Sequence, residues 1–71
     1  MSNEHLIQMA NDIAANMAAE PDHAQVVAAI ASHLRRYWEP GMRARIIAHL
    51  AGGGAGLAPL AREAVEYLQG L

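Results

Sequence analysis

The histidines have the widest chemical repertoire in this sequence, and there are four of them: His5, His23, His33 and His49. Neutral imidazole binds zinc, and Glu4 or Asp22 would offer a carboxylate ligand beside it. The spacing argues against such a site, because no two histidines stand four residues apart and no HExxH motif occurs. We therefore expect surface or partly buried histidines without a metal.

Nucleophilic catalysis has few candidates in this chain. Cysteine and threonine are absent, and the serines are Ser2, near the N-terminal end, and Ser32. Three consecutive glycines at 52–54 resemble part of a phosphate-binding loop, but the Lys-Ser/Thr pair that follows such a loop is missing. We predict that the chain is not an enzyme, and that these glycines form a flexible or tight helix connection.

Arginine and aromatic residues concentrate in residues 33–50, HLRRYWEPGMRARIIAHL, which hold four of the five arginines and the only tryptophan. Residues 1–31 carry four carboxylates and no arginine, so the charge is strongly partitioned along the chain. Lysine is absent altogether. Since general affinity for nucleic acid needs many Lys or Arg contacts with phosphates, this local basic charge does not predict a nucleic-acid partner.

The composition fits one folded domain over residues 1–71, with 54% hydrophobic and 17% charged residues. No apolar run is long enough to cross a membrane, and the N-terminus does not resemble a secretory signal, so a cytoplasmic protein is expected. Sixteen residues are alanine, which buries only one methyl group. The core should therefore be thin, and a partner surface would stabilise the fold.

Helical periodicity is the only sustained pattern. The first helix is predicted at about residues 3–19, capped by Ser2 or Asn3 and ended by Pro21. Its apolar residues recur every three or four positions, at Leu6, Met9, Ala10, Ile13 and Met17.

The second helix is predicted at about residues 23–38. Asp22 and Gln25 have the spacing of a capping box, and the residue before Pro40 disfavours helical backbone. Its apolar positions are Val26 or Val27, Ile30, Leu34, and Tyr37 or Trp38.

Two shorter helices are predicted at about residues 40–50 and 58–69, with Pro40 and Pro59 near their first positions. Their inward residues would be Met42, Ile46 and Leu50 in the third helix and Leu60, Ala64 and Leu68 in the fourth. No segment alternates as a strand does. We predict an all-α fold, a small bundle of about four short helices.

The helix dipole accounts for the positions of two of these arginines but not of the other two. Arg35 and Arg36 fall in the last turn of the second helix, where the helix dipole favours positive charge. Arg43 and Arg45 fall near the start of the third helix, where the dipole disfavours it. We expect acidic compensation from Glu39, from the acidic first helix or from a partner protein.

Trp38 stands between these arginine pairs, at a helix end beside a proline break. Tryptophan and arginine are enriched at protein interfaces, so an interface anchor is one interpretation and a core position is the other. The helix end favours a side chain that projects past the bundle.

Three segments resemble a known family: LIQMANDIAANMAAEPD, AAIASHLRRYWEPGMRARIIAHL and GGAGLAPLAREAVEYL. Together they are similar to the delta subunit of cytoplasmic NAD-dependent, molybdenum-containing formate dehydrogenase, over about residues 5–68. The most specific piece is residues 38–43, which resemble the family's W-[DE]-P-R-M-R motif. Gly41 departs from it, standing where the family usually has arginine, and Asn16-Met17 replace a common aromatic pair.

This resemblance implies a non-catalytic accessory subunit that stabilises the complex or assists molybdenum cofactor insertion. It implies no cofactor on this chain, with molybdenum bis-pterin guanine dinucleotide, iron–sulfur clusters and FMN held by partner subunits. The expected partner is the large molybdenum-containing subunit, with no nucleic acid and no membrane. The expected partner-binding residues are Arg35, Arg36, Tyr37, Trp38, Arg43 and Arg45. Self-association of the isolated chain stays open.

A second class of function is a small helix-turn-helix-like nucleic-acid-binding or regulatory domain, because two arginine-bearing helices meet at a tight turn. The composition of the third helix argues against it. Among aliphatic residues it offers only Arg43, Arg45 and His49 to read base edges.

Overall fold

Four α-helices form the protein in a computed structural model that describes residues 2–71. In chain order they are α1 (Asn3–Met17), α2 (His23–Tyr37), α3 (Pro40–Ala51) and α4 (Pro59–Gln69). No strand occurs within residues 2–71. The predicted all-α fold of four short helices is confirmed, although α1 ends two residues before the predicted position.

Side-chain caps determine where the first two helices begin. The Ser2 side chain accepts a hydrogen bond from the His5 backbone N–H at 3.2 Å. Asp22 Oδ1 accepts from the backbone N–H groups of Ala24 and Gln25 at 3.0 and 3.3 Å. These oxygens satisfy N–H groups that have no partner inside the helix, and each such cap stabilises by about 1 kcal/mol.

Prolines determine where the other two helices begin. Pro40 and Pro59 occupy the first helical positions of α3 and α4, and neither helix has a side-chain cap. At that position the missing proline N–H would have had no helical partner, so it costs no hydrogen bond. Only Trp38 and Glu39, both with extended backbone, separate α2 from α3, so the chain turns sharply there.

The core is narrow and rich in alanine. Its largest fully buried side chains come from all four helices: Leu6, Ile30, Leu34, Ile46 and Val65. Buried alanines lie among them, at Ala10, Ala14, Ala31, Ala61 and Ala64. The most extensive helix pair is α2 with α4. Small side chains allow such helices to approach closely, which fills the interior although few side chains are large.

The connection between α3 and α4 is held by side chains at several points. The Arg62 guanidinium donates to the carbonyls of Gly53 and Gly54 at 2.8 and 3.1 Å. The His49 ring, through Nε2, bonds the carbonyl of Ala55 at 2.7 Å, so Nε2 carries the proton. These bonds hold the loop in one conformation. The glycines at 52–54, for which a flexible or a tight helix connection was predicted, form the tight one.

Asn11 ties the same loop to α1. Its Nδ2 donates to the Gly56 carbonyl at 2.9 Å, and its Oδ1 accepts from the Ala58 backbone N–H at 2.8 Å. One amide thus supplies both a donor and an acceptor to backbone groups just before α4. The two bonds span 45 and 47 positions of the sequence, respectively. They hold the start of α4 against α1.

No helix within residues 2–71 combines the length and the apolar character that crossing a membrane requires.

Candidate functional site

Arg43 fastens the end of α2 to the start of α3. Its Nη1 donates to the carbonyls of Arg35 and Trp38, the latter at 3.0 Å. Both carbonyls belong to the C-terminal end of α2, where the helix dipole concentrates negative charge. The positive charge of the guanidinium is therefore stabilised by the α2 carbonyls, although it lies at the N-terminal end of α3, where the helix dipole disfavours positive charge.

This arrangement corrects the expected acidic compensation of Arg43. The compensating groups are backbone oxygens rather than the Glu39 carboxylate or the acidic α1. Among residues 2–71 the one contact between a basic and an acidic side chain is the hydrogen bond between His23 and Glu63, at 2.7 Å on the surface. Neither Arg43 nor Arg45 forms an ion pair with a described residue. Arg45 is exposed, whereas Arg43 is half-buried against the α2 carbonyls.

Trp38 is buried, with 5% of its surface exposed, and it shares the core cluster with Leu34 and Ile46. The expectation of a side chain that projects past the bundle is wrong. The backbone of Trp38 leaves the helix for an extended conformation (φ −85°, ψ 139°). This change of backbone direction places the Trp38 ring inside the bundle. The preceding residue, Tyr37, stays on the surface.

Tyr37 has 68% of its surface exposed. Its ring lies 4.7 Å from the His33 ring, between centroids, and the Arg36 guanidinium lies 6.0 Å from its centroid. An exposed tyrosine beside arginine combines apolar area with hydrogen-bonding groups, and such residues are enriched at protein interfaces.

A cleft adjoins this end of α2. It has a volume of about 200 Å³ and is lined by Arg35 and Arg43 together with Ile47, Leu68 and Leu71. We name the exposed residues Arg35, Arg36 and Tyr37 and the half-buried Arg43, together with this cleft, the arginine–aromatic surface. It is where the C-terminal ends of α2 and α4 meet α3, at Arg43 and Ile47.

Arg45 lies apart from this surface. Two residues along a helix are separated by about 200° around its axis, so Arg43 and Arg45 point to different sides of α3. Arg45 lines a separate, wider groove with Asn3, Ala48, His49 and Gly52. The structure therefore brings together Arg35 and Arg43, with Arg36 and Tyr37 adjacent on α2, and places Arg45 elsewhere.

The apolar part of the cleft was missed by sequence reasoning. Leu68 was expected as a core residue, and Ile47 and Leu71 were not selected. The only signal was that Ile47 follows the inward Ile46 in α3, so its side chain lies about 100° from the core direction. No local pattern shows that α4 ends beside that position.

The histidines and carboxylates do not gather into a metal site within residues 2–71: no group of three or more His, Cys, Asp or Glu could hold a metal ion. His23 pairs with Glu63, His33 contacts Tyr37 and His49 binds the glycine loop. The interactions of these three histidines are thus with other parts of the fold.

The outer side of α3 bears on the nucleic-acid alternative. Its exposed residues after Pro40 are Gly41, Ala44, Arg45, Ala48 and Ala51. A recognition helix reads bases with polar side chains, whereas this side presents methyl groups and a single arginine. Arg43 is engaged with α2 carbonyls. This side of α3 therefore offers Arg45 as its one exposed side chain that could reach a base edge.

These features define a small all-α protein whose distinctive surface is basic, aromatic and adjacent to an apolar cleft. Comparison with protein families gives the particular assignment: the model of the family described as NADH-dependent formate dehydrogenase delta subunit FdsD matches residues 5–65. The chain belongs to this family, and the resemblance drawn from its three sequence segments is confirmed. No curated protein and no solved structure gives a significant match.

Proposed function

We propose that this chain is a non-catalytic accessory subunit of a molybdenum-dependent, NAD-linked formate dehydrogenase. Membership of the delta subunit family carries the proposal, because a delta subunit works within a complex of several subunits. The chain docks on the large molybdenum-containing subunit. Once docked, it stabilises the assembled complex or assists insertion of the molybdenum cofactor.

The exposed chemistry supports docking through the arginine–aromatic surface. Tyr37 and the guanidinium groups of Arg35 and Arg36 are accessible at one end of the molecule. Interfaces are enriched in tyrosine and arginine, and a few such residues supply most of the binding energy. Two of the six predicted contact residues lie outside this surface. Trp38 is buried in the core, and Arg45 lies on the other groove, so it would require a second area of contact.

In this proposal the redox cofactors stay with the partner subunits. Molybdenum bis-pterin guanine dinucleotide, iron–sulfur clusters and FMN carry the formate and NAD chemistry there. The small chain supplies protein surface and no reacting group. Consistent with this division, the side chains of His23, His33 and His49 contact other parts of the fold.

Co-purification tests the proposal. Cells that make the dehydrogenase would carry the chain with an affinity tag, either as wild type or as Tyr37→Ala. We expect the wild type to capture the large subunit and molybdenum, and Tyr37→Ala to capture less than about a tenth as much, as interface tyrosines behave. The control is Tyr67→Ala, which removes an equally large side chain that is 47% exposed on α4.

The two accessory roles separate in cells that lack the chain. A stabilising role predicts less assembled complex with a normal molybdenum content per large subunit. An insertion role predicts assembled complex with a low molybdenum content. Normal assembly, normal molybdenum content and no capture of the large subunit by the wild-type chain would together contradict the proposed function.

A further inference from the structure

The cleft of the arginine–aromatic surface combines charge and apolar walls in a way that specifies its occupant. We propose that it receives a segment of the partner subunit in which a carboxylate side chain stands beside an aliphatic one. The inference rests on the proposed function and adds the chemistry of the contact. The carboxylate binds Arg35 and Arg43, and the aliphatic side chain packs on Ile47, Leu68 and Leu71.

Charge complementarity is the first support. Two arginines line the cleft and no Asp or Glu side chain does. The α-carboxylate of Leu71, which also lines it, forms no ion pair with either arginine. The Arg35 guanidinium has no hydrogen bond or ion pair with any of residues 2–71. Arg43 uses Nη1 for the α2 carbonyls, so the remaining N–H groups of its fork stay available. Arginine forks bind carboxylates through paired hydrogen bonds, which gives direction as well as attraction.

The apolar walls give the second support. Leu71 is 53% exposed at the edge of the cleft, and Ile47 is half-buried beside it. An aliphatic side chain inserted here would cover both and exclude water from the neighbouring guanidinium groups. Charge pairs strengthen when water is excluded, so the two parts of the contact reinforce each other.

The size of the cleft selects a side chain rather than a small-molecule ligand. Its volume is about 200 Å³. Pockets for small molecules usually hold about 300–1,000 Å³ and enclose most of the ligand. Nucleic acid is disfavoured as well, because phosphate binding has no use for a wall made of one isoleucine and two leucines.

The test uses the assembled dehydrogenase with a photo-crosslinking benzoylphenylalanine in place of Leu71. Irradiation and mass spectrometry identify the partner peptide that lies on the cleft. We expect a peptide with Asp or Glu within one helical turn of Leu, Ile, Val or Met. The Asp or Glu of the crosslinked peptide is then the partner residue with which the charge of Arg35 is exchanged.

In the exchange, Arg35→Glu should raise the Kd for the partner subunit about tenfold or more, since it places like charges together. Replacing the identified partner carboxylate by arginine should restore most of the affinity in the Arg35→Glu background. The matched control is the double variant Gln8→Glu and Gln25→Glu, which has the same net charge change on exposed residues of α1 and α2. It should change Kd less than about threefold, since rim charges contribute little to affinity.

The outcomes separate this inference from the proposed function. Wild-type affinity for a folded Arg35→Glu chain, or a crosslinked peptide without a carboxylate, overturns the inference and leaves docking intact. Equal weakening by the control variant shows a general charge effect and also overturns it. If the wild-type chain binds no dehydrogenase subunit, both the inference and the proposed function fail.

Discussion

Trp38→Ala should reduce the free energy of unfolding of the isolated chain by about 3–5 kcal/mol, as expected for a large aromatic side chain removed from a core. Trp38 is 5% exposed and belongs to the same core cluster as Leu34 and Ile46. A domain of this length has a total stability of about 4–10 kcal/mol. The variant should therefore be largely unfolded well below the melting temperature of the wild type, as measured by circular dichroism.

The neighbouring aromatic residue provides the control. Tyr37→Ala changes a side chain that is 68% exposed, so its stability should differ from the wild type by less than about 0.5 kcal/mol. The two adjacent substitutions would thus separate folding from docking. A Trp38→Ala chain with a wild-type melting curve but weak capture of the partner would return the residue to the interface and contradict its place in the core.

Gly54→Ala should lower stability by about 2–3 kcal/mol for two combined reasons. Gly54 has φ +67°, a left-handed conformation that disfavours any residue with a Cβ. The added Cβ would also lie 2.9 Å from Nη2 of Arg62. The guanidinium would have to move, and its hydrogen bonds to the carbonyls of Gly53 and Gly54 would weaken.

The same substitution at another glycine should have the opposite sign. Gly41 lies in α3, its φ is not positive, and a Cβ there would meet nothing within 4 Å. Gly41→Ala should stabilise the chain by about 0.4–1 kcal/mol, because it restricts the unfolded chain without strain. Thermal melts of both variants decide the matter, since about 1 kcal/mol shifts the melting temperature of such a domain by about 4–8 °C. Equal melting temperatures for the two variants would contradict the left-handed conformation of Gly54 and the hydrogen bonds of Arg62 to this loop.

The starts of the helices were predictable from the sequence, because caps and prolines act locally. Asp22 and Pro40 each lie next to the helix that they start, and α2 and α3 begin at the predicted residues. Helix ends are less strongly specified. The structure ends α1 at Met17, before the Ala18-Ala19 pair, where alanine favours helix but no C-capping residue marks the end.

Trp38 shows why periodicity fails at a helix end. The pattern allowed either Tyr37 or Trp38 to face inward, since one position changes the direction by about 100° only while the backbone remains helical. The extended backbone at Trp38 removes that rule. The hydrogen bonds of Arg43 and Asn11 were missed for a different reason. Their partners depend on how the helices pack, and Asn11 bonds a residue 45 positions away.

We propose that this delta subunit docks through its arginine–aromatic surface, and side-chain footprinting can detect that contact. Hydroxyl-radical labelling of the free chain should modify Tyr37 readily and Trp38 slowly, because one is exposed and the other buried. In the purified dehydrogenase complex we predict strong protection of Tyr37 and no change for Trp38. Equal labelling of Tyr37 in the free chain and in a complex that contains the chain would show that the arginine–aromatic surface is not the docking surface.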